Sequence, residues 1–113
     1  MSIKRIEVGP RMSQAVVHGS VAYLAGQVAK GEGVAAQTKA VLEQIDALLA
    51  AAGTDKTKLL TATIYLADIA TFGEMNAVWD TWVSAGNTPA RATVEAALAT
   101  PEYKVEIVVT AAI

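Results

Sequence analysis

The chain of 113 residues contains no cysteine and a single histidine. These absences exclude disulfides, a thiolate nucleophile and zinc sites of the usual Cys/His kind. The histidine, His18, lies in Val16-Val17-His18-Gly19-Ser20, which reads as a hairpin turn, and one imidazole builds no metal site alone. Aromatic residues make up only 5%, and nine Lys and Arg face eleven Asp and Glu, for a net charge of −2. No basic run or aromatic–basic cluster occurs, which argues against a nucleic-acid partner. No uninterrupted apolar run approaches the roughly 18 residues of a membrane span, so no membrane partner is expected. The opening Met1-Ser2-Ile3-Lys4-Arg5-Ile6-Glu7 lacks the apolar stretch of a secretory signal, and cytoplasmic residence is the expectation.

What the chain has in quantity is apolar surface. Hydrophobic residues account for 53%, and mean hydropathy is +0.37. The length fits one domain, residues 1–113, with a core that needs no staples. So apolar a small domain cannot hide all of its hydrophobic surface alone, so a second buried face between subunits is expected.

Hydrophobic spacing predicts the elements. Residues 3–7 form a short edge strand ended by Gly9-Pro10, and residues 14–18 and 21–25 form a hairpin about Gly19-Ser20, with Gly26 ending its second strand. Val34, Thr38, Val41, Leu42, Ile45, Leu48, Leu49 and Ala52 lie on one face of a helix over 34–52 that Gly53 stops. Residues 58–67 alternate as a strand. Thr71-Phe72-Gly73-Glu74 reads as a capping box opening a second helix that Gly86 closes. Trp79 and Trp82 could form a stacking platform, but beside Met75 at helical spacing they read as core. Strands at 91–95 and 104–112 follow. The last is apolar on both faces, so both need cover. Val105 and Ile107 belong under the helices, and Val108 and Thr110 between subunits. The order of elements gives an α+β domain with two helices on one sheet face.

Two charged residues stand out. Arg91 begins a strand between alanines, in Asn87-Thr88-Pro89-Ala90-Arg91-Ala92-Thr93-Val94-Glu95, and its planar fork matches a carboxylate in a way that Lys cannot. Glu106 sits inside the apolar strand over 104–112. Both look buried. Residue chemistry alone leaves two readings open: a ligand site, or structural charges that pair only with each other or with the surface.

These segments resemble a known family. Pro89-Ala90-Arg91-Ala92-Thr93-Val94-Glu95 followed by Lys104-Val105-Glu106-Ile107 resembles the signature of the Rid family, the reactive-intermediate or imine deaminases also called YjgF. Ser13-Gln14-Ala15-Val16, Leu24-Ala25-Gly26-Gln27 and Met75-Asn76-Ala77-Val78-Trp79 resemble further motifs of that family, in the same order along nearly the whole chain. The resemblance implies a chorismate-mutase-like α+β fold and a homotrimer whose sheets form a central barrel, with a site in each of three intersubunit clefts. It also implies hydrolysis of 2-imino acids, or their enamine tautomers, to 2-keto acids and ammonia, with no metal and no cofactor.

Carried onto this sequence, the family roles make Arg91 the clamp on the substrate carboxylate and Glu106 the residue that orients or activates water. Backbone near Ala92 and Thr93 lines the pocket. Gly26 permits close backbone approach from the neighbouring subunit, and Asn76 supports the site. The chain departs from the family pattern at Met12, where a Tyr is usual and which would lie at the cleft mouth, at Thr93, usually Cys, and at Ala25, usually Ser. The loop after Gly26-Gln27 is shortened to Val28-Ala29-Lys30-Gly31-Glu32-Gly33, as in a divergent branch. These departures leave the substrate open. They also leave open a trimer that binds or senses small carboxylates without turnover. Endoribonuclease activity, implied by some relatives, fits the acidic balance and the lack of a basic patch poorly, and chaperone-like activity rests on the resemblance alone.

Overall fold

The computed structural model describes residues 1–113. Strands β1 (Ile3–Val8), β2 (Ser13–His18) and β3 (Val21–Leu24) precede helix α1 (Val34–Ala51). Strand β4 (Leu59–Leu66), helix α2 (Phe72–Trp82), β5 (Ala90–Glu95) and β6 (Val105–Ala112) complete the chain. The strands form one sheet in the order β1-β2-β3-β6-β4-β5. The connection through α2 makes β4 and β5 parallel, and the other neighbours are antiparallel. This is the expected α+β arrangement of a mixed sheet with two helices.

The last strand threads between β3 and β4, and only one of its two apolar faces is covered within the chain. Val105, Ile107, Val109 and Ala111 are fully buried under the helices, as their alternation predicts. They meet Ala22, Leu24, Ala62, Ile64 and Leu66 from neighbouring strands, and Val41, Leu42, Ile45, Leu49, Met75 and Trp79 from the helices. Glu106, Val108, Thr110 and Ala112 point to the opposite face, where they are half-buried and no helix covers them. Tyr23, Thr61, Thr63 and Tyr65 share that open face by register. The Thr61 and Thr110 hydroxyls hydrogen-bond across it at 2.6 Å. No helix is long and apolar enough to cross a membrane.

Helix α1 ends as its glycine predicts. Gly53 takes φ +86°, its N–H donates to Ala50 O, and the Thr54 N–H donates to Leu49 O at 2.9 Å. That is a Schellman stop. The Thr54 hydroxyl then donates to Ala112 O at 2.6 Å, tying the helix end to β6.

Helix α2 begins and ends differently from expectation. The capping box does not form: Thr71 makes no cap bond, and its hydroxyl donates to Asp68 O at 2.6 Å. A 3₁₀ turn, Ile69–Thr71, runs straight into the helix, so the capping role falls to Asp68, whose carboxylate accepts from Ala70 N. The helix stops at Trp82 because Val83 is extended, four residues before Gly86. Gly86, at φ +81°, serves the following turn instead.

Candidate functional site

Arg91 lies level with buried Ala62 in the parallel ladder, so it leaves edge strand β5 on the helix side. There it meets one stripe of α2. Asn76 Oδ1 accepts from Arg91 Nη1 at 2.8 Å. The guanidinium carbon lies 5.3 Å from the Trp79 ring centre and 5.8 Å from that of Phe72. Phe72, Asn76 and Trp79 are spaced four and three residues apart, the spacing that stacks side chains on one helical face.

The arginine is therefore oriented but not neutralised. Asn76 is its one hydrogen-bond partner, and the chain's single ion pair is elsewhere, Lys30 to Glu102 at 3.7 Å. Arg91 is exposed, contrary to its buried appearance in sequence. The alanines beside it explain this, because they give the long side chain no cover. Two residues on, Thr93 is level with Ile64. Its Oγ1 is the only buried side-chain polar atom without a partner. Ala92, level with Thr63, faces the open side.

Glu106 belongs to the other face of the sheet. It is level with Tyr65, half-buried, and has neither a hydrogen-bond partner nor a cation within 4 Å. The ion pair between Arg91 and Glu106 that the sequence left open is not made within the chain. Glu106 packs against its own chain's Gly26, where any Cβ would overlap the carboxylate. Mutual backbone bonds between Gln27 and Ile107, at 2.9 and 3.1 Å, hold the glycine there. The buried Gln27 amide adds a bond to Gln14 Oε1 at 2.9 Å. Gly26 and Met12 together line a cavity of about 440 Å³ that also takes in Glu7, Gln14 and Gln44. A second hollow, of about 290 Å³, lies where Glu106, Tyr65 and Val108 meet the loop at Ala96–Ala99.

The structure thus gathers the expected residues into two groups. Arg91, Asn76 and Thr93 lie at the β5 edge on the helix side, whereas Glu106 lies mid-sheet on the open face with Gly26 against it, and Met12 lies just before β2. Four strand spacings, about 19 Å, separate β2 from β5, so Met12 and Arg91 do not meet within one chain. Sequence reading missed Phe72 as a neighbour of Arg91. Its place in the stripe with Asn76 and Trp79 was the available signal, but that stripe reads as core.

The profile of the family described as Endoribonuclease L-PSP matches residues 2–113. The chain belongs to this family, the YjgF or Rid family. A RutC family protein of Haemophilus ducreyi is 50% identical over 113 residues, 98% of this chain and 97% of that one. The crystal structure of a YjgF-family member from Neisseria meningitidis superposes with a TM-score of 0.97 at 51% identity, covering 99% of this chain and 95% of that one. A rat protein named 2-iminobutanoate/2-iminopropanoate deaminase is 36% identical over 103 residues, 84% of this chain and 74% of its own. Arg91 and Glu106, which the sequence likeness marks as site candidates, each lack an ion-pair partner within this chain.

Proposed function

We propose that this protein is a cytoplasmic imine and enamine deaminase that converts 2-imino acids to 2-keto acids and ammonia in clefts between subunits of a homotrimer. The observation that carries the proposal is the Arg91 guanidinium: exposed, fixed by Asn76 and two aromatic rings, and lacking any carboxylate partner. Such a group is organised for a carboxylate that the chain does not supply. The rat relative's name supports the substrate class.

Assembly supports the reading. The open sheet face mixes Val108 and Tyr65 with threonine hydroxyls and remains uncovered. A head-to-tail ring would bury such a face and set the Arg91 group of one chain against the Glu106 group of the next. Each ring of three chains then has three clefts. In each, Arg91 and Asn76 come from one subunit, and Glu106, Gly26 and Met12 from its neighbour. Backbone at Ala92 and Thr93 lines the Arg91 side.

The chemistry asks little more of the protein. A protonated imine carbon is already electrophilic. Arg91 fixes the carboxylate, and Glu106 takes a proton from water as the new C–O bond forms. The carbinolamine collapses to the keto acid. Glu106 returns its proton to nitrogen, then takes the hydroxyl proton as the C=O bond forms and the C–N bond breaks, and ammonia leaves. No cofactor or metal enters these steps.

The test couples an L-amino-acid oxidase to the protein and follows imine decay by semicarbazide trapping. Accelerated loss of the imine is expected. If there is no acceleration in a trimer that still binds keto acids, the second reading stands, a carboxylate-binding or regulatory trimer. Met12 and Thr93, at positions where the family usually carries Tyr and Cys, favour that alternative.

A further inference from the structure

The two aromatic rings beside Arg91 differ in exposure. Trp79 is 4% exposed and belongs to the core, whereas Phe72 is 41% exposed. One ring supports the guanidinium from beneath. The other presents open apolar surface next to the atoms that would hold a carboxylate. We infer that Phe72 is a specificity-determining residue, the wall against which the substrate's side chain packs, and that it selects monocarboxylic imino acids with apolar side chains. This rests on the reading that Arg91 is the carboxylate anchor.

The placement of the ring supports the role. Phe72 is the first residue of α2, and two separate contacts fix that end of the helix to β5. Asn76 accepts from Arg91 Nη1 at 2.8 Å, and Glu95 Oε1 accepts from Ile69 N at 3.0 Å. Ring and guanidinium are therefore held on one rigid unit, which precise selection requires. The charges around this end are mostly acidic. Asp68 caps the 3₁₀ turn, Glu95 holds its first N–H, and Glu74 lies in the first turn of α2. Arg91 is the one cation in contact with the Phe72 ring. A substrate side chain carrying a second carboxylate would meet three like charges against one further cation, Lys104, which shares a hollow with Asp68 and Glu74.

The experiment measures binding of unreactive keto acids to the assembled protein by calorimetry, so it does not depend on turnover. The ligands are pyruvate and the keto acids of leucine and glutamate, and the proteins are wild type, Phe72→Ala, Phe72→Leu and Arg91→Lys. Each buried methylene contributes about fourfold in affinity. With one wall covering part of the side chain, wild type should bind the leucine keto acid ~10-fold more tightly than pyruvate, and the glutamate keto acid most weakly. Phe72→Ala should reduce the leucine-to-pyruvate ratio to about two or three, with pyruvate affinity falling less than that of the leucine keto acid. Phe72→Leu, which keeps an apolar wall, should retain most of the ratio. A ratio unchanged in Phe72→Ala would overturn the inference. So would an equal loss for both ligands, because Phe72 would then only support the arginine. Undiminished binding to Arg91→Lys would instead sink the anchor reading itself, whatever Phe72 does.

Discussion

Arg91 has a partner for its position but none for its charge. Asn76 offers a neutral acceptor, so the bond orients the guanidinium without quenching it. Arg91→Lys keeps the charge and loses the fork, and kcat/KM for imine hydrolysis should fall at least ~100-fold in the coupled assay. Asn76→Ala should cost less, about tenfold, because it frees the arginine to wander without removing it. Gly26→Ala should be as damaging as a change at Glu106, because the added methyl needs the space the carboxylate occupies. Activity lost with an unchanged melting temperature would place that effect in the site. One exposed residue gives a pH prediction. Asp55 is held below its ordinary value of 3.8 by hydrogen bonds from the Thr57 hydroxyl and backbone N–H. A depressed carboxylate pKa means that this contribution is present above that value and fades as pH falls through the folded pKa. Asp55→Asn should therefore flatten the acid limb of a melting-temperature profile below about pH 4.

At the scale of elements, one buried side chain joins two loops that flank Glu106. Gln37 of α1 donates to Gly31 O at 3.1 Å and Glu102 O at 2.8 Å, and accepts from Lys104 N at 2.7 Å. Gln37→Leu removes all three bonds and strands backbone groups, so chemical denaturation should show a loss of about 2–4 kcal/mol. Loss within a few tenths of a kcal/mol would show that water replaces the amide. Gln37 also marks the limit of what the sequence reveals. Strands and helices were legible wherever period and punctuation agreed, as in α1 with its Gly53 stop and in β6 with its alternation. The start of α2 was not, because Asp68 and Thr71 are both acceptable caps and only the 3₁₀ turn between them decides. The chemistry of Arg91 was legible from its neighbours, and its exposure was not. Nor was its separation from Glu106, since the facing of an edge strand depends on register with β4.

The whole molecule poses the question that one chain leaves open. Its open sheet face and its two separated groups of site residues both call for another copy. Light scattering at micromolar concentration should report three chains of 11.7 kDa, and Thr110→Lys, on the open face, should shift that mass towards one. A stable monomer in the wild type would remove the cleft along with the trimer. The central claim is that each site takes Arg91 from one subunit and Glu106 from the next. The most direct measurement is subunit mixing. Arg91→Lys and Glu106→Gln proteins, each close to inactive alone, are unfolded together, reassembled at equal concentration and assayed for imine hydrolysis. Random assembly places an intact arginine opposite an intact glutamate in about a quarter of clefts, so about a quarter of wild-type activity should return. No recovery from mixed trimers whose composition is verified by mass would contradict the shared cleft and return both charges to a single subunit.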